Sequence, residues 1–397
     1  MPRLTLKPYT GPALFSYGFR PFFLLAALFA MLAIPVWLML RAGDLTLQGP
    51  FAPRDWHLHE MLFGYTSAVI VGFLFTAIPN WTGRMPTRGL ALMLLAALWI
   101  VGRLAVAGLL GLGAIGVLLL DAGFLIAVLA MTAREIIAGR NWRNLMVVGP
   151  VGLYLAADIT FHLEVMARGE SLYGTRAGLA VVIFLITLIG GRIIPSFTRN
   201  WLVKRQQTKL PVPFNRFDGL CLTAGALALL FWAAWPGGIV TAAALAAAAA
   251  LHALRLLRWR GVASWRSPLL LMLHLAYAFV PLGMAAQTLA ALGIAAPAAG
   301  AHLWGIGAVG GMTLAVMMRA AMGHTGRVLE AGVALSAGFA ALLIAGLMRV
   351  MLPEANLAGQ SGLVWAALFW SLAFALYLWR VGPWLLQPNP SARRPNR

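Results

Sequence analysis

Residues 56–84 read "WHLHEMLFGYTSAVIVGFLFTAIPNWTGR". The middle of this stretch is apolar enough to cross a bilayer, which takes about 20 such residues in a helix. Its mouth carries His57, His59 and Glu60. Ionisable groups at that depth cost free energy unless each has a partner, and they tend to mark sites. The stretch therefore predicts a membrane helix with chemistry at one end, and it raises the question of what partners those three side chains.

The chain of 397 residues is 61% hydrophobic and 10% charged. Soluble domains carry about 25% charged residues, so the composition predicts an all-α polytopic integral membrane protein. The first residues, "MPRLTLKPYTGPALFSYGFRPF", lack the pattern of a cleaved signal peptide, so the first apolar helix is expected to be retained. A net charge of +19 could suggest nucleic acid, but the basic residues sit in short loops between apolar runs. They form no face for a duplex, and no nucleic-acid partner is expected. The single cysteine, Cys221, excludes an intrachain disulfide, a Cys-x-x-Cys redox pair and a covalent-haem motif. It reads as a small buried hydrophobe.

Apolar runs predict twelve membrane helices near 19–40, 58–79, 89–108, 112–133, 144–167, 175–195, 217–235, 238–257, 267–291, 301–322, 329–351 and 362–381. Loop charges are sided. One set of segments holds Arg3, Lys7 and Arg20, then Arg84 and Arg88, then Arg134, Arg140 and Arg143. It continues with six basic residues between Arg192 and Arg216, four between Arg255 and Arg266, then Arg319 and Arg327, and ends with Arg380, Arg393, Arg394 and Arg397. The opposite segments offer only Arg41, Arg54, Arg168, Arg176 and Arg349, offset by Asp44, Asp55, Glu164, Glu170 and Glu354. The positive-inside rule then places both termini in the cytoplasm and the "WHLHE" end of helix two on the extracytoplasmic side.

An internal echo suggests the architecture. From His59 and from His302 two stretches align without a gap: Gly64 meets Gly307, and Thr82-Gly83-Arg84 meets Thr325-Gly326-Arg327. Helix six gives a weaker copy, with Pro195 matching Pro79 and Thr198 matching Thr82. The period is about 120 residues, which predicts one transmembrane domain over 1–397 built as a three-fold repeat of four helices, about 19–133, 144–257 and 267–381. A 4+4+4 arrangement resembles the catalytic subunit of haem–copper oxidases rather than a 6+6 transporter.

Four of the seven histidines, His57, His59, His162 and His302, fall at the extracytoplasmic ends of helices two, five and ten. Neutral imidazole is the usual nitrogen ligand of haem iron and copper. His57 and His59 point about 200° apart on a helix, which suits two sites flanking it, or one ligand and one hydrogen-bonding partner. Glu60 lies three residues from His57 and Asp158 four from His162, spacings at which a carboxylate orients a ligating imidazole. Arg103 and Asp121 come out at one depth and predict a buried structural ion pair. His252 and His324 read as surface residues beside basic loops, and His274 as a buried polar tie or a ligand. Gly64, Gly72, Gly305, Gly307, Gly310 and Gly311 allow close helix packing or room for a flat ring. Trp56, Trp81, Trp201 and Trp304 fit an interfacial belt.

The stretches "FRPFF", "WHLHEMLFGY", "GFLFTAIPNWTG", "GGRIIPSFTRNW" and "VMMRAAMGHTGR" resemble the NnrS family over most of the chain. The resemblance implies a twelve-span bacterial inner-membrane protein that binds haem and copper, is linked to nitric oxide (NO) and protects against nitrosative stress. It does not assign ligands. On the residues alone, His59 and His302 are expected to hold a non-covalent haem b. His57 and His162, with Glu60 and Asp158 beside them, are expected to form a second site for copper or another haem. Three function classes stay open: an enzyme that metabolises NO, a haem and copper protein that senses or buffers without turnover, and a small-solute transporter. Membrane lipids are expected partners, and turnover would need an electron donor that the sequence does not name.

Overall fold

A computed structural model describes residues 9–389. Arg3, Lys7, Arg393, Arg394 and Arg397 lie outside the described residues. Twelve helices account for nearly all of the described chain, with one two-residue hairpin at Asn356–Leu357 and Gln360–Ser361. They are α1 (Phe19–Ala42), α2 (Pro53–Thr82), α3 (Leu90–Val106), α4 (Ala114–Ala138), α5 (Leu145–Arg168) and α6 (Tyr173–Val203). The second half comprises α7 (Arg216–Ala234), α8 (Ile239–Leu257), α9 (Pro268–Ala291), α10 (Pro297–His324), α11 (Gly332–Met351) and α12 (Gly362–Leu386). Eleven are long and apolar enough to cross a membrane, and α3, at 17 residues, sits at the lower limit of a span. The all-α polytopic architecture follows.

From α3 onward each helix packs on the next, α1 packs on both α2 and α12, and α2, α6 and α10 touch one another. Their apolar windows are 78%, 67% and 61% buried in protein, and α9 beside α10 is also at 61%, whereas α1, α4, α7, α8 and α11 are each at 33%. α2, α6 and α10 run 28 to 31 residues, longer than the apolar runs alone predicted. Their ends run past the apolar stretches, with Arg54 and Asn80 of α2 and Arg192, Arg199 and Asn200 of α6 exposed there.

Each of these three helices also contains a π-helical segment: Glu60–Tyr65 in α2, Ile186–Gly190 in α6 and Leu303–Gly310 in α10. A π-turn leaves main-chain carbonyls without their usual partners, and such bulges gather at functional sites. Here side chains take up several of them. Trp99 Nε1 and Ser67 Oγ donate to Gly64 O at 3.0 and 2.9 Å, and Tyr154 Oη donates to Leu62 O. In α6 the Arg255 guanidinium donates to Thr187 O at 2.9 Å, and in α10 Thr313 Oγ1 donates to Val309 O and Gly310 O. The aligned threonines share a second feature: Thr82, Thr198 and Thr325 each donate to the carbonyl four residues earlier. Gly83 and Gly326 both take positive φ, 67° and 69°, immediately past those threonines.

Several side chains read from sequence as loop or interface groups are buried instead. His252 is fully buried with Nδ1 2.8 Å from Tyr277 Oη, and Arg255 is fully buried, donating to Asp218 Oδ1 at 2.9 Å. Trp56 and Trp304 are core residues, Trp304 donating to Val280 O at 3.0 Å. All four lie on helix faces turned toward the interior, a rotation that distance along the chain does not reveal. His324 is exposed and stacks on Tyr17, and Cys221 is buried. His274 Nε2 lies 3.4 Å from Thr198 Oγ1, tying α9 to α6.

The "FRPFF" segment shows the same principle. Arg20 is buried at the start of α1 and donates to the carbonyls of Trp384, Leu385 and Gln387 at 3.3, 2.9 and 2.7 Å. The last carbonyls of α12 have no partner within the helix, and a cation there also suits the helix dipole. Replacing Arg20 by Leu removes a charged donor from these carbonyls. It should lower stability by about 1.5–3 kcal/mol, read as a lower melting temperature of the detergent-solubilised protein. An unchanged melting temperature would show that water replaces Arg20 at no cost.

Candidate metal and cofactor sites

The two histidines of "WHLHE" leave α2 on different sides, and each meets its own surroundings. His59 turns toward α4 and α5. It is fully buried, with Nδ1 3.1 Å from Glu60 Oε1 and Nε2 3.0 Å from Asp121 Oδ2 and 3.2 Å from Asp158 Oδ1. His162, one turn beyond Asp158 on α5, brings its Nε2 to 3.1 Å from the same Asp121 oxygen. Arg103 of α3 closes the group, with Nη1 2.5 Å from Glu60 Oε1 and Nη2 paired with Asp121 Oδ1. Phe51, Phe63 and Phe161 pack around the His59 ring and keep the group dry.

The charge count of this cluster is unbalanced. Three buried carboxylates face one guanidinium, so two negative charges remain when both imidazoles are neutral. One hydrogen on His59 Nε2 can serve Asp121 and Asp158 together only as a three-centre bond, weaker to each than a bond of its own. One ligand atom each from His59, Asp121, Asp158 and His162 lies within 4.8 Å of the others, all four residues being buried. Two imidazole nitrogens and two carboxylate oxygens converging in a dry site are a donor set for a divalent transition metal. Glu60, on the far nitrogen of His59, holds that ring in the orientation ligation requires. Glu60 Oε2 and Asp158 Oδ2 have no hydrogen-bond partner among the described residues, as expected where a further cation belongs.

His57 turns the other way, into a cavity of about 940 Å³ lined by residues of α1, α2, α6, α7, α9, α10, α11 and α12. Its ring stacks on Trp37 at 4.3 Å, and its Nδ1 is buried without a partner. His302 of α10 lines the same cavity, close enough to His57 for the two to interact electrostatically. The Ala298 carbonyl accepts from His302 Nδ1 at 2.7 Å. A carbonyl can only accept, so Nδ1 carries the hydrogen and Nε2 keeps its lone pair. Gly305 also lines the cavity, and a Cβ built there would meet nothing within 4 Å.

The four histidines at this end of the bundle are thus sorted into His59 with His162 and His57 with His302. The grouping expected from sequence joined His59 to His302 and His57 to His162. Repeat alignment fixes depth along each helix but not rotation about it. Both ring nitrogens of His59 face carboxylates, and the lone pair of His302 belongs to a side chain on the opposite side of α2.

The profile of the NnrS protein family matches residues 13–389. The chain belongs to the NnrS family. No curated protein matches the sequence. Of the stretches that resemble the family, "WHLHEMLFGY" supplies His57, His59, Glu60 and the π-segment, and "FRPFF" ties α1 to α12. Sequence reading missed two ligand candidates: Asp121, assigned only to an ion pair, and Asp158, assigned only to orienting an imidazole. The signal that could have shown Asp121 is the imbalance of three carboxylates and one arginine on neighbouring helices.

Arg103 is the only guanidinium in the cluster, so the two sides of its ion pairs are not equivalent. Arg103→Leu leaves the buried carboxylates without their cation and should destabilise by roughly 3–5 kcal/mol. Asp121→Asn leaves Arg103 on Glu60 and should cost clearly less. Melting of the two purified variants decides this; a larger loss for Asp121→Asn would contradict the charge count.

Proposed function

We propose that the protein is an NO-linked membrane protein that holds haem b non-covalently between His57 and His302. On the other side of α2, His59, Asp121, Asp158 and His162 hold a divalent metal, copper in keeping with the family resemblance. The observation that carries the haem assignment is the pair of imidazoles on one cavity. His302 is fixed in the tautomer that leaves Nε2 for iron, and His57 is oriented by Trp37 and left with an unpartnered Nδ1. The cavity volume lies within the range of small-molecule and cofactor sites, about 300–1,000 Å³. This pairing replaces the one between His59 and His302 expected from the repeat.

Bound there, haem would supply an iron that takes up NO once one of the two imidazoles gives way to it. The chain itself supplies the two imidazoles, aromatic walls from Trp37, Trp232 and Trp370, and a cavity in the membrane half that an apolar gas can reach through lipid. The cluster behind α2 supplies a second cation site whose surroundings exclude water. The role proposed is binding and capture of NO in protection against nitrosative stress, in keeping with the family resemblance. The loop charges support an inner-membrane protein with the cavity end extracytoplasmic and both termini cytoplasmic. The matched π-segments and threonine bonds of α2, α6 and α10 support a four-helix repeat.

Visible spectra of purified variants test the haem assignment. His57→Ala and His302→Ala should each lose haem or turn it high-spin, while His59→Ala, His162→Ala and the exposed control His324→Ala keep the parent spectrum. At Gly305 an added Cβ meets no neighbour and Gly305 lines the cavity, so Gly305→Phe should fold, place its ring in the cavity and weaken haem binding. Parent-like haem in both His57→Ala and His302→Ala refutes the assignment. Metal analysis tests the second site: Glu60→Gln should weaken metal affinity roughly 10–100-fold. Undiminished affinity there would place the metal elsewhere. Reporter fusions at Gly43 and Gly169 should read extracytoplasmic and at Gln207 cytoplasmic, and reversed sidedness would move the cavity to the inner face.

A further inference from the structure

Arginines are scarce at the histidine-bearing end of the bundle, where the positive-inside rule disfavours them. Five stand there, Arg41, Arg54, Arg168, Arg176 and Arg349, and four of the five line the His57–His302 cavity. Arg54 is committed to Glu170 at 2.8 Å. The others are not balanced in the same way. Arg349 lies close enough to Arg41 for the two cations to repel, with Glu354 as the one opposing charge near it, and it acts electrostatically on both His57 and His302. Glu354 is the one carboxylate among the described lining residues of this cavity. Arg176 lies over the Tyr173 ring, and its Nε is buried without a partner. Gathering like charges beside two imidazoles is unfavourable unless an anion shares the cavity.

We infer that Arg349 and Arg41 are the carboxylate anchors of the cavity and clamp the two propionate groups of the haem assigned to His57 and His302, an inference that rests on that reading. The planar guanidinium is the natural partner of a carboxylate, to which it donates two parallel hydrogen bonds. A porphyrin with two carboxylates on one edge has a charge pattern complementary to a cavity lined by both histidines and arginines. The anchors would also orient the ring, its charged edge toward Arg349 and Arg41. A lipid phosphate would be recognised by the same guanidinium chemistry, and the test separates the two.

The full-length protein, produced without added haem, is titrated with haem and with its dimethyl ester, in which both carboxylates are blocked, following the Soret band. The parent should bind free-acid haem more tightly than the ester by roughly tenfold or more. Arg349→Gln and Arg41→Gln should lose most of that preference, with free-acid affinity falling and ester affinity nearly unchanged. Equal binding of haem and ester by the parent overturns the arginine assignment and leaves the haem reading standing. It is the outcome expected if the arginines serve lipid phosphate. Binding of neither ligand by the parent overturns the haem reading and this inference with it. The ester titration of the parent needs no variant, so a misfolded arginine substitution cannot obscure the result.

Discussion

Three ionisable side chains within four residues of one membrane helix, His57, His59 and Glu60, constrain the rest of the structure. None can face lipid without a large free-energy cost. The fold partners two of them on one side, with Arg103 from α3, Asp121 from α4 and Asp158 and His162 from α5. It turns the third toward α10, α11 and α1. Placing α2 at the centre of the bundle is the arrangement that gives both faces of the helix a protein partner. The 78% burial of its apolar window reflects this.

The two faces carry opposite charge. Glu60, Asp121 and Asp158 make the α4–α5 side negative in excess, and Arg41, Arg176 and Arg349 make the α10–α11 side positive in excess. Each imbalance specifies the kind of ligand that relieves it, a cation on the first side and an anion on the second. The π-segment that starts at Glu60 lies between them. It changes the rotation of α2 just below the histidines, and Gly64 within it has no room for a side chain beside Arg103 and Glu60. A helix without that segment would present its lower half at a different angle to both sites.

Much of this was legible in the sequence. Twelve helices and most of their bounds follow from apolar runs, because lipid demands a long uninterrupted apolar stretch. Histidines at one end of helices two, five and ten were visible by counting along each span. Arg103 and Asp121, placed at one depth by the same count, are in contact. Rotation about a helix axis was not legible, since a centrally packed helix has no polar face to orient it. For that reason the partners of His59 and His302, and the burial of Arg255, His252 and Trp304, emerge only from the packed fold. The π-segments add to the difficulty: they shift the facing of every residue beyond them and leave no mark in composition.

Anomalous diffraction from crystals of the haem-loaded protein, collected at the iron edge, tests the central proposal most directly. The expected result is an iron peak in the cavity between His57 and His302, with none among His59, Asp121, Asp158 and His162. An iron peak inside that carboxylate cluster, or none in the cavity, would contradict it.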